Sequence, residues 1–246
     1  MLQERFERTR ARIASAAMRY GRAPESVGLV AVGKGHPSTS LRALAGLGQR
    51  DFGENYLQEA LPKLAALSDL PLTWHYIGQL QGNKTRAVAE RFQWVHTLDR
   101  ERIAVRLNEQ RPHHAPPLEV CIQVSLADEP GKGGVPPDQV ATLARRVCEL
   151  PRLKLRGLMC MPPPRERFEQ QRELFERLAE CRRSLERQGF ELDTLSMGMS
   201  GDLEAAVAAG ATWVRVGTAL FGERTRTGAA HGAGATTQTT GEHERR

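Results

Sequence analysis

A lysine, two glycine-bearing loops and an arginine are the residues whose types and spacing suggest chemistry in this chain. Lys34 follows an apolar run in the segment V-A-V-G-K-G-H-P. The segments S-M-G-M-S-G-D, residues 196–202, and R-V-G-T, residues 215–218, combine glycines with hydroxyl groups. Glycines let the backbone approach a ligand closely, hydroxyls donate hydrogen bonds, and a helix N-terminus attracts anions. The two segments therefore predict a phosphate site.

Each of these features also has a plainer interpretation. Ser200 or Asp202 could cap a helix, and Gly217 could simply turn the chain. Lys34 could be an exposed loop lysine. At the end of a barrel strand, however, a lysine points into the site, and partial desolvation or a neighbouring cation lowers the pKa of such an ammonium group. The neutral amine can then form a Schiff base with a carbonyl.

Lys34, the predicted phosphate loops and Arg215 together suggest pyridoxal 5′-phosphate, which carries an aldehyde, a phosphate and a ring nitrogen. Arg215 is the informative residue. A carboxylate beside the pyridine nitrogen would keep that nitrogen protonated, whereas an arginine cannot accept the proton. A ring held in this way would be a poor catalyst of carbanion chemistry.

Short β-rich runs alternate with helical segments along the chain and would position these residues. An amphipathic helix comes first and ends at Gly21. The predicted strands are 27–32, 51–52, 72–77, 94–97, 118–124, 153–159, 194–196 and 213–216. The predicted helices between them are 38–47, 54–67, 83–91, 99–111, 137–149, 167–188 and 202–209.

Eight β-then-α units predict a single-domain modified (β/α)8 barrel, the TIM barrel. Such barrels place their active sites at the carboxyl ends of the strands and often hold phosphate after strands seven and eight. A doubly wound open sheet is the alternative, but the chain has no G-x-G-x-x-G turn. We expect the barrel to span residues 1–222. Residues 223–246 contain no apolar side chain larger than alanine, and we expect a disordered tail there.

Composition narrows the class of protein. The 246 residues are 40% hydrophobic and carry a net charge of +6, mostly from arginines spread over predicted helices. Only 5% of the residues are aromatic, and this scarcity of aromatic side chains disfavours a nucleic-acid-binding groove. The four cysteines have neither disulfide-framework nor zinc-ligand spacing, so we expect buried thiols, no metal and a reducing compartment. No eighteen apolar residues run together, and the N-terminus has no apolar signal region. We expect a cytoplasmic protein without membrane or nucleic-acid partners.

Six segments in order resemble the YggS/PROSC family of pyridoxal-phosphate-binding homeostasis proteins, over about residues 27–224. The segments are A-V-G-K at 31–34, D-F-G-E-N-Y-L-Q-E at 51–59, W-H-Y-I-G-Q-L-Q-G-N-K at 74–84, L-R-G-L-M at 155–159, L-S-M-G-M-S-G-D at 195–202 and V-R-V-G-T-A-L-F-G at 214–222. The resemblance implies a barrel similar to the N-terminal barrel of alanine racemase, with an extra N-terminal helix. It also implies cofactor buffering or transfer in vitamin B6 and amino-acid homeostasis, without a firm catalytic activity.

The same resemblance assigns roles to individual residues. Lys34 matches the lysine that holds the cofactor as a Schiff base, and Arg215 matches an arginine at the cofactor. Ser200, Gly217 and Thr218 match phosphate-binding positions, and Asn55 lies in the G-E-N motif near the ring. The family members are expected to be monomers, with apo forms of pyridoxal-phosphate enzymes as possible recipients of the cofactor.

The residues around Lys34, and Lys132 and His75, allow more than one interpretation. The family usually has Ser-Lys-Thr where this chain has Gly33, Lys34 and Gly35, and the loss of two hydroxyls could loosen the cofactor. Lys132 matches a second recurring lysine that could exchange the aldehyde, although a solvated loop lysine is the simpler interpretation. His75 could be a hydrogen-bonded core histidine.

Two enzymatic alternatives would also use a Schiff-base lysine and a phosphate site. The first is a weak racemase-like enzyme. Alanine racemases add a β-domain and a tyrosine from a partner chain, for which this chain offers no obvious source. The second is a Schiff-base aldolase acting on a phosphorylated substrate, which would be colourless as purified.

Overall fold

The computed structural model describes residues 1–126 and 133–222. Within these ranges, eight parallel strands form a closed barrel in which the first strand pairs with the last. The strands are β1 (Gly28–Val32), β2 (Asp51–Glu54), β3 (Thr73–Tyr76), β4 (Trp94–Leu98), β5 (Leu118–Gln123), β6 (Leu153–Met159), β7 (Thr194–Ser196) and β8 (Trp213–Val216). The predicted (β/α)8 barrel is confirmed.

Helices follow the strands around the barrel, and one extra helix precedes them. The helices are α1 (Leu2–Arg19), α2 (Ser38–Gly46), α3 (Leu57–Ala66), α4 (Thr85–Arg91), α5 (Glu101–Gln110), α6 (Val140–Cys148), α7 (Phe168–Glu186), α8 (Leu203–Ala208) and α9 (Thr218–Phe221). Short 3₁₀ turns occupy Pro24–Ser26, Gly82–Lys84 and Pro137–Gln139. The predicted N-terminal helix is therefore present.

Two predicted helix starts were three residues too early, for local reasons. The helix predicted from residue 54 begins at Leu57, because Glu54 is still paired as the last residue of β2. The helix predicted from residue 137 begins at Val140, after a 3₁₀ turn that opens with Pro137. Proline lacks the backbone N–H group and fits the first turn of a helix better than its interior.

The apolar stripe of α1 packs against the barrel wall. Phe6, Ile13 and Ala17 are buried, and the helix contacts α8 and α9. Two arginines on α1 bind the segments that follow β7 and β8. Arg12 donates to the carbonyl oxygen of Ser200 at 3.3 Å, and Arg5 donates to that of Phe221 at 3.0 Å. The extra helix thus supports both predicted phosphate loops from behind.

The cysteine prediction is only partly right. Cys121 and Cys160 are buried free thiols, as expected. Cys181 is half-buried, and the prediction was wrong for Cys148, which is exposed. The reason is helical periodicity: the buried face of α6 ends at Val147, and the next residue falls outside the apolar stripe.

Candidate functional site

A cavity of about 420 Å³ lies at the carboxyl ends of β1, β2, β7 and β8. Its walls are Val32, Lys34, His36, Asn55, Ile77, Met161, Met199, Ser200, Gly201, Arg215, Gly217 and Thr218. The structure therefore brings all six predicted site residues to one cavity. Among the described residues that line it, none is Asp or Glu, whereas Lys34 and Arg215 are cationic. The cavity is built to attract an anion.

Lys34 stands on a tight turn that follows β1. The N–H of His36 donates to the carbonyl oxygen of Gly33 at 3.0 Å, which closes the turn. Gly35 has a φ of +73°, a left-handed conformation that residues with a Cβ rarely adopt. The ammonium nitrogen of Lys34 lies 5.2 Å from the centre of the Tyr56 ring, within cation–π range. The turn fixes the start of the lysine side chain, and the aromatic ring shields one side of it.

A buried ion pair lies directly beneath this turn. Lys63 on α3 donates from Nζ to Glu54 Oε1 and to the Gly33 carbonyl oxygen, both at 2.8 Å. The Glu54 carboxyl is fully buried, and its second oxygen, Oε2, has no hydrogen-bond partner. Burial raises the pKa of Glu54, and the neighbouring Lys63 opposes that rise. The pair thus ties β2 and α3 to the backbone that carries Lys34.

The departure from the family motif at Gly33 has a structural counterpart here. A Cβ on Gly33 would stand 2.5 Å from Glu54 Oε1 and 2.9 Å from a methyl carbon of Leu41. A side chain at this position would therefore have to displace Glu54 or Leu41. Glycine at position 33 lets the buried ion pair and Leu41 lie against the turn without such a shift.

The loops after β7 and β8 form the opposite wall. The N–H of Met199 donates to Asp202 Oδ1 at 2.6 Å, and the N–H of Arg215 donates to the Gly198 carbonyl at 2.9 Å. Asp202 occupies the N-cap position of α8, but its carboxylate does not bond to the helix. Burial raises the pKa of that carboxyl. Asp202 therefore shapes the loop that presents Ser200, rather than capping α8 with its side chain.

Gly217 and Thr218 begin the short helix after β8. The Gly217 carbonyl accepts hydrogen bonds from Leu220 and Phe221, each at 2.9 Å, so the chain turns into α9 at this point. The first N–H groups of a helix have no acceptor within the helix. Thr218 is exposed, and both residues line the cavity, where their N–H groups and the threonine hydroxyl can serve an anionic ligand.

Arg215 forms part of the cavity floor and is 4% exposed. It donates from Nη1 to Ser196 Oγ at 2.7 Å and from Nη2 to the Cys160 carbonyl oxygen at 2.9 Å. Burial lowers the pKa of this guanidinium group, although an arginine remains charged in proteins. These two bonds use two of its five N–H groups. The guanidinium is thus anchored from below and can donate to a ligand above.

Asn55 follows β2 and is half-buried at the cavity wall. Its backbone is held by close packing, since a Cβ on Gly78 would stand only 1.8 Å from the Asn55 carbonyl oxygen. His36, Met161 and Met199 also line the cavity and were not predicted. Loop residues of this kind carry no periodic signal, although the position of His36, two residues after Lys34, could have suggested it.

His75 is a fully buried, hydrogen-bonded histidine inside the barrel, as the simpler interpretation expected. A second cavity, of about 540 Å³, adjoins the first and shares Met161, Met199 and Gly201 with it. Lys132 lies outside the described residues, as does the predicted tail at 223–246.

Metal and membrane features can be stated for residues 1–126 and 133–222. No group of three or more His, Cys, Asp or Glu side chains in these ranges is arranged to hold a metal ion. None of the helices found there combines the length and the apolar character needed to span a bilayer.

Comparison with known proteins identifies the family. The sequence profile described as "Alanine racemase, N-terminal domain" matches residues 11–225. The "Pyridoxal phosphate homeostasis protein" of Pseudomonas aeruginosa is 54% identical over 223 residues, which cover 91% of this chain and 96% of that protein. The protein of the same name from Escherichia coli K12 is 49% identical, with coverages of 87% and 93%. The chain belongs to the family of pyridoxal phosphate homeostasis proteins.

A solved structure extends the family comparison to three dimensions. PipY from Synechococcus elongatus PCC7942, solved with PLP bound, matches with a TM-score of 0.79 at 38% identity, covering 90% of this chain and 100% of PipY. The predicted resemblance to pyridoxal phosphate homeostasis proteins is thereby confirmed, and so is the likeness to the N-terminal barrel of alanine racemase.

Proposed function

We propose that this protein binds pyridoxal 5′-phosphate in the 420 Å³ cavity and acts in vitamin B6 and amino-acid homeostasis by holding and releasing the cofactor. One observation carries the proposal. The primary amine of Lys34, the guanidinium of Arg215 and the hydroxyl-bearing loops after β7 and β8 surround a single cavity without a lining carboxylate among the described residues. The family name and the PLP-bound relative support the same ligand.

The residues present fit the three functional groups of this cofactor. Lys34 would hold it as a Schiff base, and Ser200, Gly217 and Thr218 would bind its phosphate through hydroxyl and backbone N–H groups. Arg215 would donate to the ring nitrogen, with Asn55 beside the ring. When bound, pyridoxal phosphate supplies an aldehyde and an electron-withdrawing ring. The exposed Thr218 leaves the phosphate end accessible, which suits a protein that exchanges its ligand.

We propose further that the protein has no catalytic residues and acts as a carrier. Arg215 is a buried donor and cannot keep a ring nitrogen protonated, so the cofactor ring would be a weak electron sink for carbanion chemistry. The weak racemase-like alternative is tested by assaying the loaded protein with alanine. A turnover above about 1 per second, the lower end of ordinary enzymes, would overturn the carrier role.

The ligand is tested by an absorbance spectrum before and after borohydride reduction, with the modified residue mapped by peptide mass. We expect a yellow species that reduction fixes on Lys34 and that Lys34→Ala abolishes. Lys154→Ala is the matched control, because Lys154 is an exposed lysine of β6 outside the cavity wall. A colourless protein that stays so after addition of pyridoxal phosphate would contradict the proposal and favour the aldolase alternative.

The proposal extends to the setting of the protein. All four cysteines are free thiols, which supports a reducing cytoplasm. We propose a monomer with the binding barrel in residues 1–222, without nucleic-acid or membrane partners, that passes the cofactor to apo forms of pyridoxal-phosphate enzymes. Transfer from the loaded protein to an apo-enzyme, followed as recovered enzyme activity, would test that last step.

A further inference from the structure

A line of polar groups crosses the interior of the barrel beneath the cavity. Ser196 Oγ, which accepts from Arg215, lies 2.7 Å from His96 Nδ1. His96 Nε2 lies 2.9 Å from His75 Nδ1. His75 Nε2 lies 3.1 Å from Asp51 Oδ1. Both histidines are fully buried, whereas the Asp51 side chain is 28% exposed at the amino-terminal end of the barrel. The line therefore joins the cavity floor to the opposite end of the barrel.

The hydrogen bonds of this line all run in one direction. An ionised Asp51 only accepts, so His75 donates from Nε2. In a neutral ring the Nδ1 of His75 must then accept, and it does so from His96 Nε2. The same reasoning leaves His96 Nδ1 to accept the Ser196 hydroxyl proton. With both rings neutral, this is the assignment that satisfies every atom, and bonds aligned in this way strengthen one another.

The electrostatics of the interior favour neutral rings. Burial lowers the pKa of His75, and the nearby carboxylate of Asp51 offsets only part of that decrease. Burial, His75 and the charge of Arg215 together hold the pKa of His96 well below its ordinary value. Neither ring therefore competes with Arg215 for the positive charge at neutral pH.

Arg215 is a buried cation that needs such support. Among the described residues, no carboxylate lies within ion-pair distance of it; its contacts are the Ser196 hydroxyl and the Cys160 carbonyl. Asp202 favours its charge from a longer distance. Buried charges are ordinarily paired or fully hydrogen-bonded. The polar line links this cation, through three neutral groups, to the carboxylate of Asp51.

We propose that Ser196, His96, His75 and Asp51 are positioning residues for Arg215, which hold its guanidinium in one plane and offset its charge from the far end of the barrel. The inference rests on the proposed binding of pyridoxal phosphate and deepens it. Arg215 would then present a rigid, permanently charged donor to the ring nitrogen of the cofactor and leave that nitrogen unprotonated, in keeping with the proposed carrier role.

The direction of the line can be tested without cofactor. Two-bond ¹H–¹⁵N correlation spectra of the apo protein, with ¹⁵N-labelled histidine, report the tautomer of each ring. We expect His75 and His96 both neutral and protonated on Nε2 at neutral pH. A charged ring, or a proton on Nδ1 of either ring, would overturn the proposal.

The positioning of Arg215 is tested by Ser196→Ala, with Thr194→Val as the matched control. Both variants remove a buried hydroxyl from β7, but the Thr194 hydroxyl bonds to Asp193 and not to Arg215. With ¹⁵N-labelled pyridoxal phosphate, we expect Ser196→Ala to move the ring-nitrogen signal and to weaken affinity about tenfold. Thr194→Val should leave both at the wild-type values.

The possible outcomes distinguish the positioning of Arg215 from the proposed binding of pyridoxal phosphate. If Ser196→Ala gives the same ring-nitrogen signal and affinity as Thr194→Val, the positioning role is wrong even though the cofactor binds. If the wild-type protein binds no cofactor, the proposed function fails, and with it the role assigned to Arg215. The histidine spectra would then still decide whether the line exists as described.

Discussion

Removing one partner of the buried ion pair below Lys34 tests directly whether that pair stabilises the turn that carries Lys34. In Lys63→Met, a side chain of similar length replaces the lysine and leaves Glu54 buried without its hydrogen-bond donor. The Gly33 carbonyl loses a donor as well. Because Glu54 Oε2 already has no partner, the variant leaves the carboxyl group without a hydrogen bond from a side chain.

The size of the effect follows from the burial of the pair. Breaking a buried ion pair by removing one partner costs about 3 to 5 kcal/mol when the remaining charge persists. Glu54 can escape part of this penalty by taking up a proton, since burial already raises its pKa and Lys63 no longer opposes that rise. We expect Lys63→Met to lower the free energy of unfolding by about 3 kcal/mol at neutral pH.

The pH dependence has a definite sign. The folded-state pKa of Glu54 is raised above its unfolded value, so folded Lys63→Met binds more protons than the unfolded chain. Its stability should therefore increase as the pH falls from the folded pKa towards the unfolded value of about 4.3, by up to about 1.4 kcal/mol per pH unit. Urea denaturation at several pH values measures this slope.

The double variant Glu54→Gln/Lys63→Met is the control, because it has no ionisable group at either position. The difference in stability between the single and double variants should shrink as the pH falls. A penalty below about 1 kcal/mol that is also independent of pH would refute the reasoning, since it would place Glu54 in contact with solvent.

Three further outcomes are expected. Gly35→Thr should cost about 1 to 2 kcal/mol of stability and weaken pyridoxal phosphate binding, because the φ of +73° is unfavourable for threonine in the turn that carries Lys34. Gly78→Ala should weaken the same binding, because its Cβ would stand 1.8 Å from the Asn55 carbonyl oxygen and displace that residue from the cavity. Cys148 should be the first thiol to react with a disulfide reagent, since it is exposed and the two fully buried thiols are not. Urea denaturation, cofactor titration and thiol counting are the respective measurements.

Each outcome has its own control. Gly46→Ala, at the exposed end of α2 with no atom within 4 Å of the new Cβ, should be neutral or stabilising and leave cofactor affinity unchanged. If Gly35→Thr or Gly78→Ala behaves like Gly46→Ala, the turn or the contact with Asn55 is not what holds the cavity wall. Cys148→Ser should remove the fast thiol phase, and its persistence would point to Cys181, which is half-buried.

The alternation of apolar runs with helical stretches is enough to predict the barrel. Most strands have an apolar, β-rich sequence, and the rule that barrel sites lie at the carboxyl ends of strands then indicates Lys34, Ser200, Gly217 and Thr218 as site residues. These residues lie next to strand ends, where the fold dictates their position. Loop residues such as Met161 and Met199 reach the same cavity through irregular backbone, which sequence periodicity does not describe.

The interior line could not be predicted for a different reason. The contact between His96 and Ser196 joins residues one hundred positions apart, on two strands, β4 and β7, that are not neighbours in the closed barrel. Alternation along β4 places His96 on the same face as Trp94, but alternation alone does not say what lies across the interior. A sequence shows which face a side chain takes, whereas its partner depends on how the sheet closes.

The extra N-terminal helix has a place in this architecture that follows from its contacts. The loops after β7 and β8 have a support on the outer side of the barrel. Helix α1 supplies it: Arg12 forms a bidentate ion pair with Glu204 on α8 and also holds the Ser200 carbonyl, while Arg5 holds the carbonyl of Phe221 at the end of α9. These bonds use backbone carbonyls on the outer side of the loops and leave the N–H and hydroxyl groups of Gly217 and Thr218 available to the cavity. A site braced from outside in this way can stay open to solvent, which suits the proposed reversible binding of the cofactor.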